Sequence, residues 1–183
     1  MDNSQIQYLF RTDKYLKKIS CKCVLESELP DEIVPESIYF ILTNSKKMDV
    51  KFSHGPKHYL KGHWTLLESL QKSKKKSQIS YFDATGGQPT LSVAKKMRNF
   101  RLKYNADLFI NTDCFQMKFS SICGPIACYV ALLRARAFNY DAITTHKLSQ
   151  DLMFIVKWLP DLIASLLNSS NKTLSRFSFD LLL

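Results

Sequence analysis

A chain of 183 residues can bury a core of its own, and 45% hydrophobic with 23% charged residues argues against a disordered protein. Lys and Arg outnumber Asp and Glu by 26 to 16, a formal net charge of +10 that favours polyanions or acidic partners through salt-sensitive attraction and speaks to association rather than fold. The five cysteines are odd in number and lack framework spacing, the start MDNSQIQYLF has no apolar h-region, and every apolar run breaks before membrane-spanning length. These features predict free thiols in a reducing intracellular setting, a protein that is not secreted, and no membrane partner.

In chain order, Ile6, Leu9, Phe10 and Leu16 predict a short amphipathic helix over 4–18. Residues 20–36, with Pro30 and Pro35, read as loop with a short strand at 23–25. The run SIYFILT (37–43) suits a buried strand or a helical turn, because it is too short for its period to decide. Residues 44–62 read as a long loop, and long loops in compact domains are often functional. HWTLLESL (63–70) and QISYFDA (78–84) predict a hairpin with an exposed turn at 72–77, followed by the turn signal TGGQP (85–89). A helix is expected over 90–104, with Leu91, Ala94, Met97, Phe100 and Leu102 as its apolar face, then a short strand over 107–111. From Cys123 the apolar segment CGPIACYVALLRARAF predicts a buried helix with Pro125 in its first turn, where a missing N–H costs nothing. A second long helix is expected over 144–167, bent at Pro160. The result is one α+β domain over 1–183, an antiparallel-rich sheet with helices around it and a helical C-terminal lobe over about 121–168.

A thiol becomes a good nucleophile when it ionises, and its pKa falls at a helix N-terminus and beside an imidazolium. Cys123 stands where an apolar helix starts, and Gly124 lets backbone or substrate approach closely; a buried structural cysteine is the competing reading. Cys128 lies inside the same helix and reads as core. A base is sought among His54, His58, His63 and His146, and His63 is favoured because it opens a strand. Asp83, in an apolar strand end, is the candidate acceptor for the imidazole, since a buried carboxylate needs a partner. Glu68 is its rival and reads as a solvent-facing strand residue. The N–H of Cys123 and the side-chain amide of Gln116, seven residues upstream, are candidate oxyanion donors. A zinc set of Cys21, Cys23, His54 and His58 is a weaker reading, because the C-x-C pair lacks a second pair.

His63-Trp64, Asp83 within YFDATGG, Gln116 and Cys123-Gly124, in that order, resemble the adenovirus endopeptidase (adenain) family and the related SUMO-specific proteases. The resemblance covers about residues 28–138. It implies a papain-like or adenain-like fold with a central mixed sheet and the nucleophile at the N-terminus of a buried helix. It further implies a cysteine protease with Cys123 as nucleophile, His63 as base, Asp83 as its orienting acid and Gln116 in the oxyanion hole. Trp64 and Gly124 would line a narrow substrate cleft, and cleavage after glycine follows.

The implied substrate is a capsid or penton precursor of a double-stranded DNA virus, virophage or polinton-like element, cut by a monomer in the virion or inside the infected cell (cytoplasm or nucleus). A deubiquitinase or desumoylase is the alternative, and Asp83 in place of the adenovirus glutamate is the choice of the SUMO proteases. No metal or other cofactor is implied. DNA is an expected activator through Lys74, Lys75 and Lys76, for which a solvated hairpin tip is the bland reading. The family's cysteine that bonds an activating peptide has no clear counterpart, Cys114 lying too close to Gln116. A different class, a basic non-enzymatic module contacting DNA or an acidic capsid protein, predicts that Cys123→Ala leaves every activity intact.

Overall fold

The computed structural model of the chain describes residues 3–47, 60–73, 76–115, 122–137, 140 and 143. Five strands form one mixed sheet in sequence order: β1 (Ser20–Leu25), β2 (Ser37–Lys47), β3 (Leu60–Ser73), β4 (Lys76–Asp83) and β5 (Asp107–Ile110). β1 pairs in parallel with β2 and β5 in parallel with β4, while the central β3 runs antiparallel to both β2 and β4. Three α-helices accompany the sheet among the described residues: α1 (Asn3–Thr12), α2 (Leu91–Tyr104) and α3 (Cys123–Ala135). This is the expected α+β arrangement, with Cys123 opening a buried helix.

Helices cover both faces. Ile38, Phe40, Leu66 and Phe82 point to one face and pack with α1 and α3, whereas Tyr39, Ile41, Leu67 and Tyr81 point to the other and pack with α2. A strand buried on both sides needs apolar residues at successive positions, which is why SIYFILT and YF lack a clean alternation. β2 and β3 are longer than the sequence suggests. Strand pairing reaches Lys47 and Leu60, so 44–47 and 60–62, expected as loop, belong to the sheet, and His63 lies inside β3 rather than opening it. The β3–β4 ladder continues to Ser73 and Lys76, which leaves a tighter connection than the expected turn over 72–77. β1 begins at Ser20, three residues earlier than expected, because its alternating polar residues suit an edge strand.

Two helix expectations need correction. The predicted helix over 4–18 is broken at Asp13, whose Oδ1 accepts the N–H groups of Tyr15 (3.0 Å) and Leu16 (2.9 Å) and starts a 3-10 turn over Leu16–Lys18. In α2 the buried face is Val93, Met97 and Phe100, at positions i, i+4 and i+7, while Leu91 (92% exposed) and Leu102 (76%) point to solvent. Thr90 caps the start by accepting the Val93 N–H, and Asn105 ends the helix in the left-handed region (φ 46°, ψ 45°). Met97→Ala should therefore cost about 2–5 kcal/mol. Leu102→Ala should stay within about 0.5 kcal/mol, a contrast that urea unfolding of the two variants would measure.

Candidate active site

β4 stops at Asp83, opposite Thr65, so β3 runs beyond it with β2 on one side only. His63 lies on that extension, two residues from Thr65, and strand alternation puts it on the same face as Asp83. Its Nε2 meets Asp83 Oδ1 at 2.7 Å. Gly62 precedes it where a Cβ would come within 2.7 Å of the Leu42 side chain and 2.8 Å of the Thr43 carbonyl, so a larger residue would force β2 and β3 apart beside the imidazole.

Asp83 is tightly held by the sequence that follows it. Oδ1 also accepts the Thr85 N–H and the Thr85 hydroxyl, each at 2.7 Å. Gly86 turns the chain at φ 73° and donates its N–H to the Asp83 carbonyl at 2.9 Å. A Cβ on Gly87 would sit 2.7 Å from Asp83 Oδ2. Asn111, buried beyond β5, donates from Nδ2 to the carbonyls of Asp83 (2.8 Å) and Asp113 (2.9 Å). Sequence reasoning missed Thr85 and Asn111 as site residues. The D-A-T spacing carried the signal for Thr85, because an aspartate that accepts from the residue two positions on is a common turn device.

Cys123 is the first residue of α3 and is 7% exposed. Its thiol hydrogen-bonds to His63, and the backbone N–H groups of Trp64 and Gly124 also serve the sulfur. With Nε2 committed to Asp83, Nδ1 is the ring nitrogen left to serve the thiol. Burial pushes the Cys123 thiol up, but the hydrogen bond to His63, those from Trp64 and Gly124, and the imidazolium charge outweigh it and bring it below the ordinary cysteine value. Burial pushes Cys21 and Cys23 up to about 12, and it raises Cys128 as well. The His63 imidazole is raised to about 10, first by the Asp83 hydrogen bond and then by that of Cys123. Burial also pushes the Asp83 carboxyl up, but hydrogen bonds from His63 and Thr85 hold it below the usual range. Thiolate, imidazolium and carboxylate thus stabilise one another.

The other expected residues fall into three groups. Gly124 is buried beside the sulfur, and Trp64 is half-buried against the α1/α3 core and contributes its N–H. Lys76 is exposed and pairs with Asp107 at 2.9 Å. Gln116, Lys74, Lys75, His54, His58, His146 and the predicted helix over 144–167 lie outside the described residues. Phe115, just before Gln116, is anchored beside the site: its N–H donates to the Ala84 carbonyl at 2.8 Å and its ring stacks on Phe82. Glu68 departs from expectation. It is fully buried rather than solvent-facing, because Arg134 and Tyr140 supply the partners a buried carboxylate needs.

A thiol at a helix N-terminus, an imidazole and a carboxylate in one hydrogen-bonded line form a Cys–His–Asp constellation, the arrangement that serves nucleophilic catalysis. No family model and no curated protein matches the chain. Among solved structures it is similar to the ASFV pS273R protease. A selenomethionine form matches with a TM-score of 0.44 and 17% identity, covering 66% of this chain and 38% of that one. A second form matches with a TM-score of 0.41 and 14% identity, covering 57% and 35%. The chain thus matches well under half the length of those structures.

The two pKa shifts set a pH window for stability. His63, raised to about 10, contributes fully below its unfolded value of about 6.5 and loses that contribution as pH rises towards 10. Asp83, lowered, contributes above its unfolded value of about 3.9 and loses it as pH falls through the folded one. Asp83→Asn should therefore be less stable than wild type, with the gap widest between about pH 4 and 6.5 and closing towards pH 10. Thermal unfolding across pH measures this, and a gap independent of pH would contradict it.

Proposed function

We propose that the chain is a cysteine endopeptidase that cuts after glycine in capsid or other structural precursors during virion maturation, acting as a monomer in the virion or the infected cell. The observation that carries this reading is the hydrogen-bonded line Cys123–His63–Asp83, with the sulfur at the first residue of a buried helix. Glycine preference and the precursor substrate rest on the resemblance to the adenovirus endopeptidase family.

In this mechanism the Cys123 thiolate attacks the peptide carbonyl carbon and the carbonyl electrons move onto oxygen. The N–H of Cys123 and the Gln116 amide stabilise that oxyanion. His63 gives the Nδ1 proton to the departing amine as the C–N bond breaks, leaving a thioester. Water then attacks the thioester, losing its proton to His63, and the acid departs from the regenerated thiolate. Asp83 keeps the ring oriented and stabilises its positive form. Thr85 and Asn111 act one step further out, holding Asp83 in turn. Trp64 narrows the cleft, and Gly124 lines it. The net charge of +10, with Lys74, Lys75 and Lys76 in one run of the sequence, suits contact with DNA that carries the enzyme to its substrates.

The test is incubation with glycine-site peptides from capsid precursors beside ubiquitin and SUMO conjugates. Wild type should cleave the peptides, Cys123→Ala should abolish cleavage, and Gln116→Ala should lower kcat by about 10²–10³. Cleavage confined to the conjugates would move the assignment to an isopeptidase. Hydrolysis that survives Cys123→Ala would overturn it.

A further inference from the structure

Every residue of α3 from Cys123 to Arg134 is buried, and most of them are apolar or small. A helix that is apolar all round has many ways to lie on a sheet, because sliding or rotating it exchanges one apolar contact for another. Yet the position of α3 on β3 sets the distance from the Cys123 sulfur to the His63 ring. Something must fix that position.

The single charged side chain of α3 is Arg134. Its Nε donates to Glu68 Oε2 at 2.8 Å and its Nη2 to Gln78 Oε1 at 3.0 Å. The Tyr140 hydroxyl donates to the other Glu68 oxygen at 2.7 Å, and the guanidinium lies 4.5 Å from the centre of the Tyr140 ring. Glu68 is fully buried on β3, five residues from His63. Arg134 is eleven residues from Cys123. At about 3.3 Å per strand residue and 1.5 Å per helix residue, both separations come to roughly 16–17 Å. β3 and α3 therefore run side by side in the same direction with matched reach, joined at one end by His63 and Cys123 and at the other by Glu68 and Arg134. Advancing α3 by a single residue would turn Arg134 through about 100° and break the far joint.

We propose that Glu68 and Arg134 are positioning residues that fix the register of α3 on β3 and so place the Cys123 sulfur against His63. This rests on the endopeptidase reading for its functional meaning, but its geometry does not depend on any substrate. A buried ion pair replaced by apolar groups of similar volume often leaves stability unchanged or raises it. A register device and a stability device therefore make different predictions.

The experiment is the triple variant Glu68→Met, Arg134→Met, Tyr140→Phe, read by thermal unfolding and by iodoacetamide alkylation of Cys123 followed across pH by peptide mass spectrometry. The variant should keep its melting temperature. Its alkylation midpoint should rise by about one pH unit or more, with about tenfold less thiolate at neutral pH and a matching loss of peptide hydrolysis. A folded variant with the wild-type midpoint overturns the proposal. If the triple variant does not fold, Arg134→Lys takes its place: a compact ammonium lacks the rigid fork by which Nε and Nη2 reach Glu68 and Gln78 separately, so its midpoint should also rise, and an unmoved midpoint again overturns the proposal. A shifted midpoint in a chain whose wild type cleaves nothing supports the register device while sinking the endopeptidase reading.

Discussion

The 2.7 Å hydrogen bond between His63 and Asp83 is the interaction on which the site depends. It joins the extension of β3 to the last residue of β4, and it exists because β4 stops short. Had β4 continued two residues further, it would have paired with His63 and left no room for helix α3 to approach that edge. The same truncation leaves β3 uncovered at Trp64, whose N–H serves the Cys123 sulfur. One strand end thus supplies the carboxylate, frees the imidazole and opens a berth for the thiol.

What holds Asp83 is almost entirely local. Thr85, Gly86 and Gly87 follow it directly, and each answers a different need: donors for the carboxylate, a left-handed turn, and space beside Oδ2. The consequence is a rigid acid on a short tether, which suits a group that must orient an imidazole rather than move with it. Asn111 adds a longer tie, binding the same strand end to the segment that leads towards Gln116.

Much of this was legible in the sequence because its signals are local. A cysteine followed by Gly-Pro and a long apolar run marks a helix start, and an aspartate closing an aromatic strand before Thr-Gly-Gly marks a strand end at a turn. The extent of β2 and β3 was not legible, since polar residues 44–47 join the sheet through ladder pairing, which leaves no periodic trace. The face of α2 was misjudged for a related reason. Leu91, Leu102, Val93 and Met97 are all apolar, and the sheet beneath decides which of them turn inward. Glu68 was misread because a buried acid is recognised by its partner, and Arg134 and Tyr140 lie 66 and 72 residues away. The resemblance to a known family supplied the order His, Asp, Gln, Cys, which no single motif carries.

One contact far from the sulfur bears on how this protein should be handled. Asp13, almost wholly buried, receives Arg136 Nη2 at 2.7 Å just past the end of α3, while Ile6 and Leu9 of α1 are packed into the same core. Residues 3–13 are therefore structural cladding for helix α3. A shortened form that starts after Asp13 would expose that apolar seam and cost the Arg136 guanidinium its carboxylate partner, leaving it the Leu132 carbonyl, so any change in such a form would report first on folding.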